Sequence, residues 1–79
     1  MNQQLRRLIR ARDMCQSGEA RAVREATRLS LSEVGDACGV SASAVSRWET
    51  GARSPRGKAG ASYGALLEAL AVNVSGVAS

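Results

Sequence analysis

The side chains in this sequence that can do chemistry are almost all arginines. Ten Arg and one Lys stand against seven acidic residues, for a formal net charge of +4. A guanidinium presents a planar fork of donors that fits phosphate oxygens and guanine edges. An arginine-dominated excess therefore points to a polyanion, with nucleic acid ahead of an anionic membrane surface. The usual parts of a catalytic site are missing. The chain has no His, which removes imidazole acid–base relays and histidine triads. Cys15 and Cys38 are far apart and lack the partners of a zinc set. The expectation is a binding protein without enzyme activity, cofactor or metal.

The best-placed candidates are Ala42, Ser43, Ser46 and Arg47. At i, i+1, i+4 and i+5 they share one face of a helix. Three are small, so the helix can approach a partner closely, and Arg47 is long enough to reach guanine O6 and N7. Backbone N–H groups behind Ser41, at the start of that helix, can meet a phosphate. Arg6, Arg7, Arg10 and Arg12 form a second cluster, read equally well as a grip on nucleic acid or as a solvated helix face.

These residues must be positioned by helices. Aromatics are reduced to one Trp and one Tyr, Pro occurs once, and no segment alternates with a period of two. A chain this short makes one domain with a thin core. Helices are expected over Gln3–Cys15, with Leu5, Leu8, Ile9 and Arg12 at helical spacing, and over Glu19–Arg28, capped by Ser17, with Ala20, Val23, Ala26 and Thr27. Ser30-Leu31-Ser32-Glu33 reads as a capping box opening a helix from Leu31 to Cys38, stopped at Gly39. Ser41 caps a helix from Ala42 to Glu49 or Thr50, stopped at Gly51. Residues 51–61 have the composition of a loop, and the last helix is expected over Ser62–Val72 with Tyr63, Leu66, Leu67 and Leu70 inward. The fold class is all-α: a compact bundle of about five short helices. Its segments are an extra helix (1–16), a main domain (17–72) and a frayed tail (73–79).

Within Ser30–Pro55, Leu31, Val34 and Cys38 make one inward stripe and Val45 with Trp48 another, bridged by Val40. Gly35 costs about 1 kcal/mol relative to Ala inside a helix, so a close helix crossing is expected there. Cys38 and Trp48 are read as core, Tyr63 as a packing residue, and Cys15 as the more exposed thiol.

This stretch closely resembles the helix-turn-helix of phage-repressor (Cro-type) and XRE transcriptional regulators. The resemblance rests on Gly39-Val40-Ser41, Val45-Ser46, Trp48-Glu49, Gly51 and the following Pro55, and covers about Ala20 to Leu70. It implies a lambda-repressor-like DNA-binding domain with its motif at 30–49, reading the major groove of double-stranded DNA with helix 42–49. It also implies phosphate contacts from Arg53, Arg56 and Lys58, and an ion pair between Arg24 and Glu49. The inner-edge position of Glu49, next to Trp48, likewise asks for a cation. Leu31 stands where the family often has a phosphate-binding Gln, leaving Ser30 or Ser32 to reach the backbone.

The function expected is a sequence-specific regulator, a small phage-type repressor or Cro-like protein. The alternative is a protein-interaction adaptor or antitoxin on the same fold. With no export signal or membrane span visible, a cytoplasmic setting with reduced thiols is expected. A homodimer is expected through Leu66, Leu67 and Leu70, with Leu5, Leu8 and Ile9 as the other candidate surface.

Overall fold

A computed structural model describes the backbone of residues 1–78 and the side chains of residues 1–74. Five helices follow one another: α1 (Gln3–Ser17), α2 (Glu19–Ala26), α3 (Leu31–Cys38), α4 (Ala42–Thr50) and α5 (Gly57–Ala78). No strand occurs among the described residues. The architecture is an all-α bundle containing a helix-turn-helix.

The two middle helices start and stop on local chemistry. Ser30 accepts from the Glu33 N–H at 3.0 Å while the Glu33 carboxylate accepts from the Ser30 N–H at 2.9 Å, closing a capping box. Gly39 ends α3 at φ +77°, and Val40 N–H returns to the Gly35 carbonyl at 2.9 Å. Ser41 caps α4 by accepting from Ala44 N–H at 3.1 Å. The turn lies directly against Gly35, where an added Cβ would come within 2.6 Å of the Val40 carbonyl oxygen. The closest approach is thus made by the turn backbone, not by a crossing helix as expected.

The outer helices depart further from expectation. α1 runs two residues past Cys15, where Ser17 Oγ donates back to the Met14 carbonyl. Ser17 is not the cap of α2: Gly18 holds that position, and Ser17 Oγ only accepts from Glu19 N–H at 3.2 Å. The buried side of α1 is Ala11 and Met14, while Leu5 and Ile9 remain 44% and 45% exposed. α2 stops at Ala26 because Thr27 Oγ1 bonds to the Val23 and Arg24 carbonyls and Arg28 turns left-handed at φ +61°. Ala26 consequently faces solvent.

α5 begins at Gly57, five residues before the expected Ser62, and continues through residues 73–78, which were expected to fray; Ser79 lies outside the described residues. Gly60, which reads as loop, and Gly64, within the expected helix, both have a packing role. A Cβ on Gly60 would meet Leu8 at 2.7 Å and Pro55 at 2.9 Å, and one on Gly64 would overlap the Arg7 carbonyl. Bare backbone at both positions brings α5 against α1, the most extensive helix pairing in the molecule.

Tyr63, Met14, Leu67, Val34 and Val45 are fully buried at the centre, with Ala11, Ala20, Val23, Cys38 and Trp48 around them. Leu67, 1% exposed, belongs to this core, and Leu66 and Leu70 pack half-buried on it. Of the expected dimer surface on the last helix, Leu67 thus belongs to the monomer's interior, while Leu66 and Leu70 are only partly covered by it.

Gly64→Ala tests the α1–α5 seam. Overpacking should lower stability by about 1–3 kcal/mol, despite the roughly 1 kcal/mol that Ala gains in a helix. Urea titration should show a lower midpoint at unchanged slope; a neutral or stabilised variant would mean that the two helices can part.

Candidate nucleic-acid interface

α4 is seated from beneath. Val45 (0% exposed) and Trp48 (6%) point inward, and the Trp48 ring lies 4.8 Å from that of Tyr63, tilted by 36°. At the end of the helix, Arg24 Nε and Nη2 donate to the two Glu49 carboxylate oxygens at 2.5 and 3.1 Å. Its third nitrogen, Nη1, donates to the Leu29 carbonyl at 3.0 Å. The Arg24 and Glu49 side chains are 13% and 5% exposed. This fork-to-fork bond raises the Arg24 pKa still further, so the cation is permanent. A shielded charge pair of this kind holds only while both partners are present.

The outward side of α4 is narrower than its spacing suggested. Ser43 and Arg47 are exposed, whereas Ala42 and Ser46 are half-buried. Beyond Gly51 the chain folds back, with Arg53 N–H donating to the Arg47 carbonyl at 3.2 Å. Arg47, Arg53 and Arg56 then line one open pocket of about 210 Å³ with Ala44, Trp48 and Ser54. No acidic side chain lines it. Lys58 is not part of this group: it stands in the first turn of α5 and lines another groove with Gln4, Arg7 and Ser62. Of the serines, Ser30 and Ser41 are engaged as caps and Ser32 is exposed.

Arg12 has a role that its sequence position does not reveal. Its Nε donates to the Pro55 carbonyl at 2.8 Å, tying α1 to the loop that carries Arg53 and Arg56. Forty-three residues separate the two, and no local pattern could have announced the bond. Arg6, Arg7 and Arg10 line a groove between α1 and α5 that also contains Glu68. Arg10 is further neutralised by Asp13 and Glu19, each at 3.7 Å. That cluster is a mixed-charge face.

Cys15 is half-buried, its thiol donating weakly to the Tyr63 hydroxyl at 3.9 Å, and Cys38 is in the core. Burial raises the pKa of both thiols and of the Tyr63 phenol. Among the described residues no cluster of three or more potential metal ligands occurs, and no helix is long and apolar enough to cross a membrane.

Two short capped helices, joined by a tight turn and bearing one outward helix edge beside a basic pocket, define a helix-turn-helix DNA-binding domain. Residues 17–78 match the family model described as a helix-turn-helix domain, and the chain belongs to that family. Comparisons with curated proteins and with solved structures give no match. α1, up to Gln16, lies outside the matched segment.

Two measurements probe this architecture. Glu49→Gln or Arg24→Met leaves one shielded charge without its partner and should cost about 3–5 kcal/mol; thermal melts that barely move would show the pair to be solvated. The three acidic protons with raised pKa values set an alkaline limit. Folding is unaffected by them below the ordinary thiol value of 9.0. Above it, and above the phenol's ordinary 10.0, the unfolded chain ionises first and stability falls. Urea unfolding from neutral to alkaline pH should show that fall, and Tyr63→Phe should lessen it.

Proposed function

We propose that this domain is a sequence-specific transcriptional regulator of the phage-repressor, Cro-like or XRE type. It would act by occupying an operator and blocking or recruiting polymerase there. The observation that carries this reading is the convergence of Arg47, Arg53 and Arg56 on one acid-free pocket beside the exposed edge of α4. With α4 in the major groove, Ser43 and Arg47 face the bases, and Ala42 and Ser46 keep the helix close to them. Arg53 and Arg56 meet the flanking phosphates, with Lys58, Ser32 and the capped N-termini at Ser30 and Ser41 further along the backbone.

The roles separate by experiment. Arg47→Ala should cost about 1–3 kcal/mol at the preferred site and relax the choice of one base pair. Joint replacement of Arg53, Arg56 and Lys58 by Ala should weaken binding on every sequence alike and flatten the salt dependence by about one unit of slope per residue. Selection from a random duplex library, followed by titration across salt concentrations, reads both. Recovery of no preferred sequence, with retention of a protein partner by the substituted chain, would favour an adaptor or antitoxin.

A further inference from the structure

We propose that the outer face of α1 is a self-association surface whose partner is a second copy of this chain, packed antiparallel about a twofold axis. The proposal does not depend on DNA binding.

α1 uses one side, Ala11 and Met14, to close the core. On its other side Leu5 and Ile9, one turn apart, form an apolar ridge left 44% and 45% exposed. The ridge is flanked by two open grooves. Met1, Arg6, Ile9, Arg10 and Asp13 line one of about 340 Å³; Asn2, Gln4, Leu5 and Leu8 line the other, of about 510 Å³. A ridge between grooves is a shape that packs against a copy of itself.

The charges identify the occupant and its direction. Arg6 and Asp13 are seven residues apart and so lie along the same stripe of the helix. In an antiparallel pair centred near Ile9, Arg6 of each copy meets Asp13 of the other, while a parallel pair would oppose Arg6 to Arg6. Asp13 is only loosely engaged within its own copy. Its contact with Arg10 is long, at 3.7 Å, its side chain is 70% exposed, and Arg10 also has Glu19 at the same distance. The same Asp13, beside an apolar ridge, argues against a nucleic-acid strand on this face. A helix of 15 residues spans only about 22 Å, so the contact falls at the small, reversible end of protein interfaces.

Sedimentation equilibrium of the full chain, carried to high concentration, tests this. The wild type should show reversible monomer–dimer behaviour. Ile9→Lys and Leu5→Gln should abolish it at unchanged thermal stability, since both sites are half exposed. The sharper arm is charge reversal. Arg6→Glu alone sets a carboxylate against Asp13 of the other copy, and Asp13→Arg alone sets one guanidinium against another, so each variant should be monomeric. An equimolar mixture of the two variants pairs opposite charges again and should associate at least as well as the wild type. The proposal is overturned if the wild type stays monomeric throughout. A dimer indifferent to these substitutions, or a mixture that fails to associate, would equally overturn it.

Discussion

Three nitrogens of one guanidinium hold the motif in register. Arg24 grips both oxygens of Glu49 and the carbonyl of Leu29, joining α2, the turn that leaves it, and the last residues of α4. Because almost no water reaches the pair, a misplaced carboxylate cannot be rescued by solvent. The angle of α4 is thereby fixed from its C-terminal end, while Val45 and Trp48 fix it from below. The outward edge of the helix is relieved of structural duty. It can carry small polar residues that contribute nothing to the core.

A second, weaker chain of contacts reaches the basic loop. Gly60 and Gly64 draw α5 onto α1, α1 carries Arg12, and Arg12 holds the carbonyl of Pro55. Pro55 is itself buried. The segment with Arg53 and Arg56 is thus pinned at its far end by a helix outside the matched family segment and at its near end by the Arg47 carbonyl. A stretch with the composition of a flexible basic loop is in fact a short strap fixed at both ends, which spares part of the ordering entropy of binding.

The pattern of what is legible in the sequence follows from this division. α3 and α4 are legible almost to the residue because their limits are set by neighbours in the chain: a serine, a glutamate three residues on, a glycine that turns left-handed. The inward stripe of Val34, Cys38, Val45 and Trp48 is legible for the same reason. Gly60 reads as loop because the signal for its helix lies in groups outside it, the Leu8 side chain and Pro55. The role of Gly64 inside the expected helix is hidden for the same reason, since it rests on the Arg7 carbonyl. Leu5 and Ile9 mark an apolar face of α1, but spacing identifies a face without saying whether anything covers it, and the smaller Ala11 and the flexible Met14 are what fit the tight seam. Leu67 shows the converse: a residue that spacing offers to a partner lies at the centre of the monomer. The end of α2 escapes the sequence because Arg28 adopts a left-handed conformation usually left to glycine. At the site, spacing alone groups Ala42, Ser43, Ser46 and Arg47. The meeting of Arg47 with Arg53 and Arg56, and the departure of Lys58 from them, depend on how the chain folds back after Gly51.

The placement of Trp48 against Tyr63 has a spectroscopic consequence. These are the single tryptophan and the single tyrosine of the chain, and their rings touch. Light absorbed by the phenol should pass efficiently to the indole while α4 rests on α5, and that transfer should fade once the helices separate. The indole is 6% exposed, packed on Tyr63 on the inner side of α4 and reaching the floor of the basic pocket. Its emission therefore reports, without a label, both how the helix is seated from within and what enters the pocket beside it.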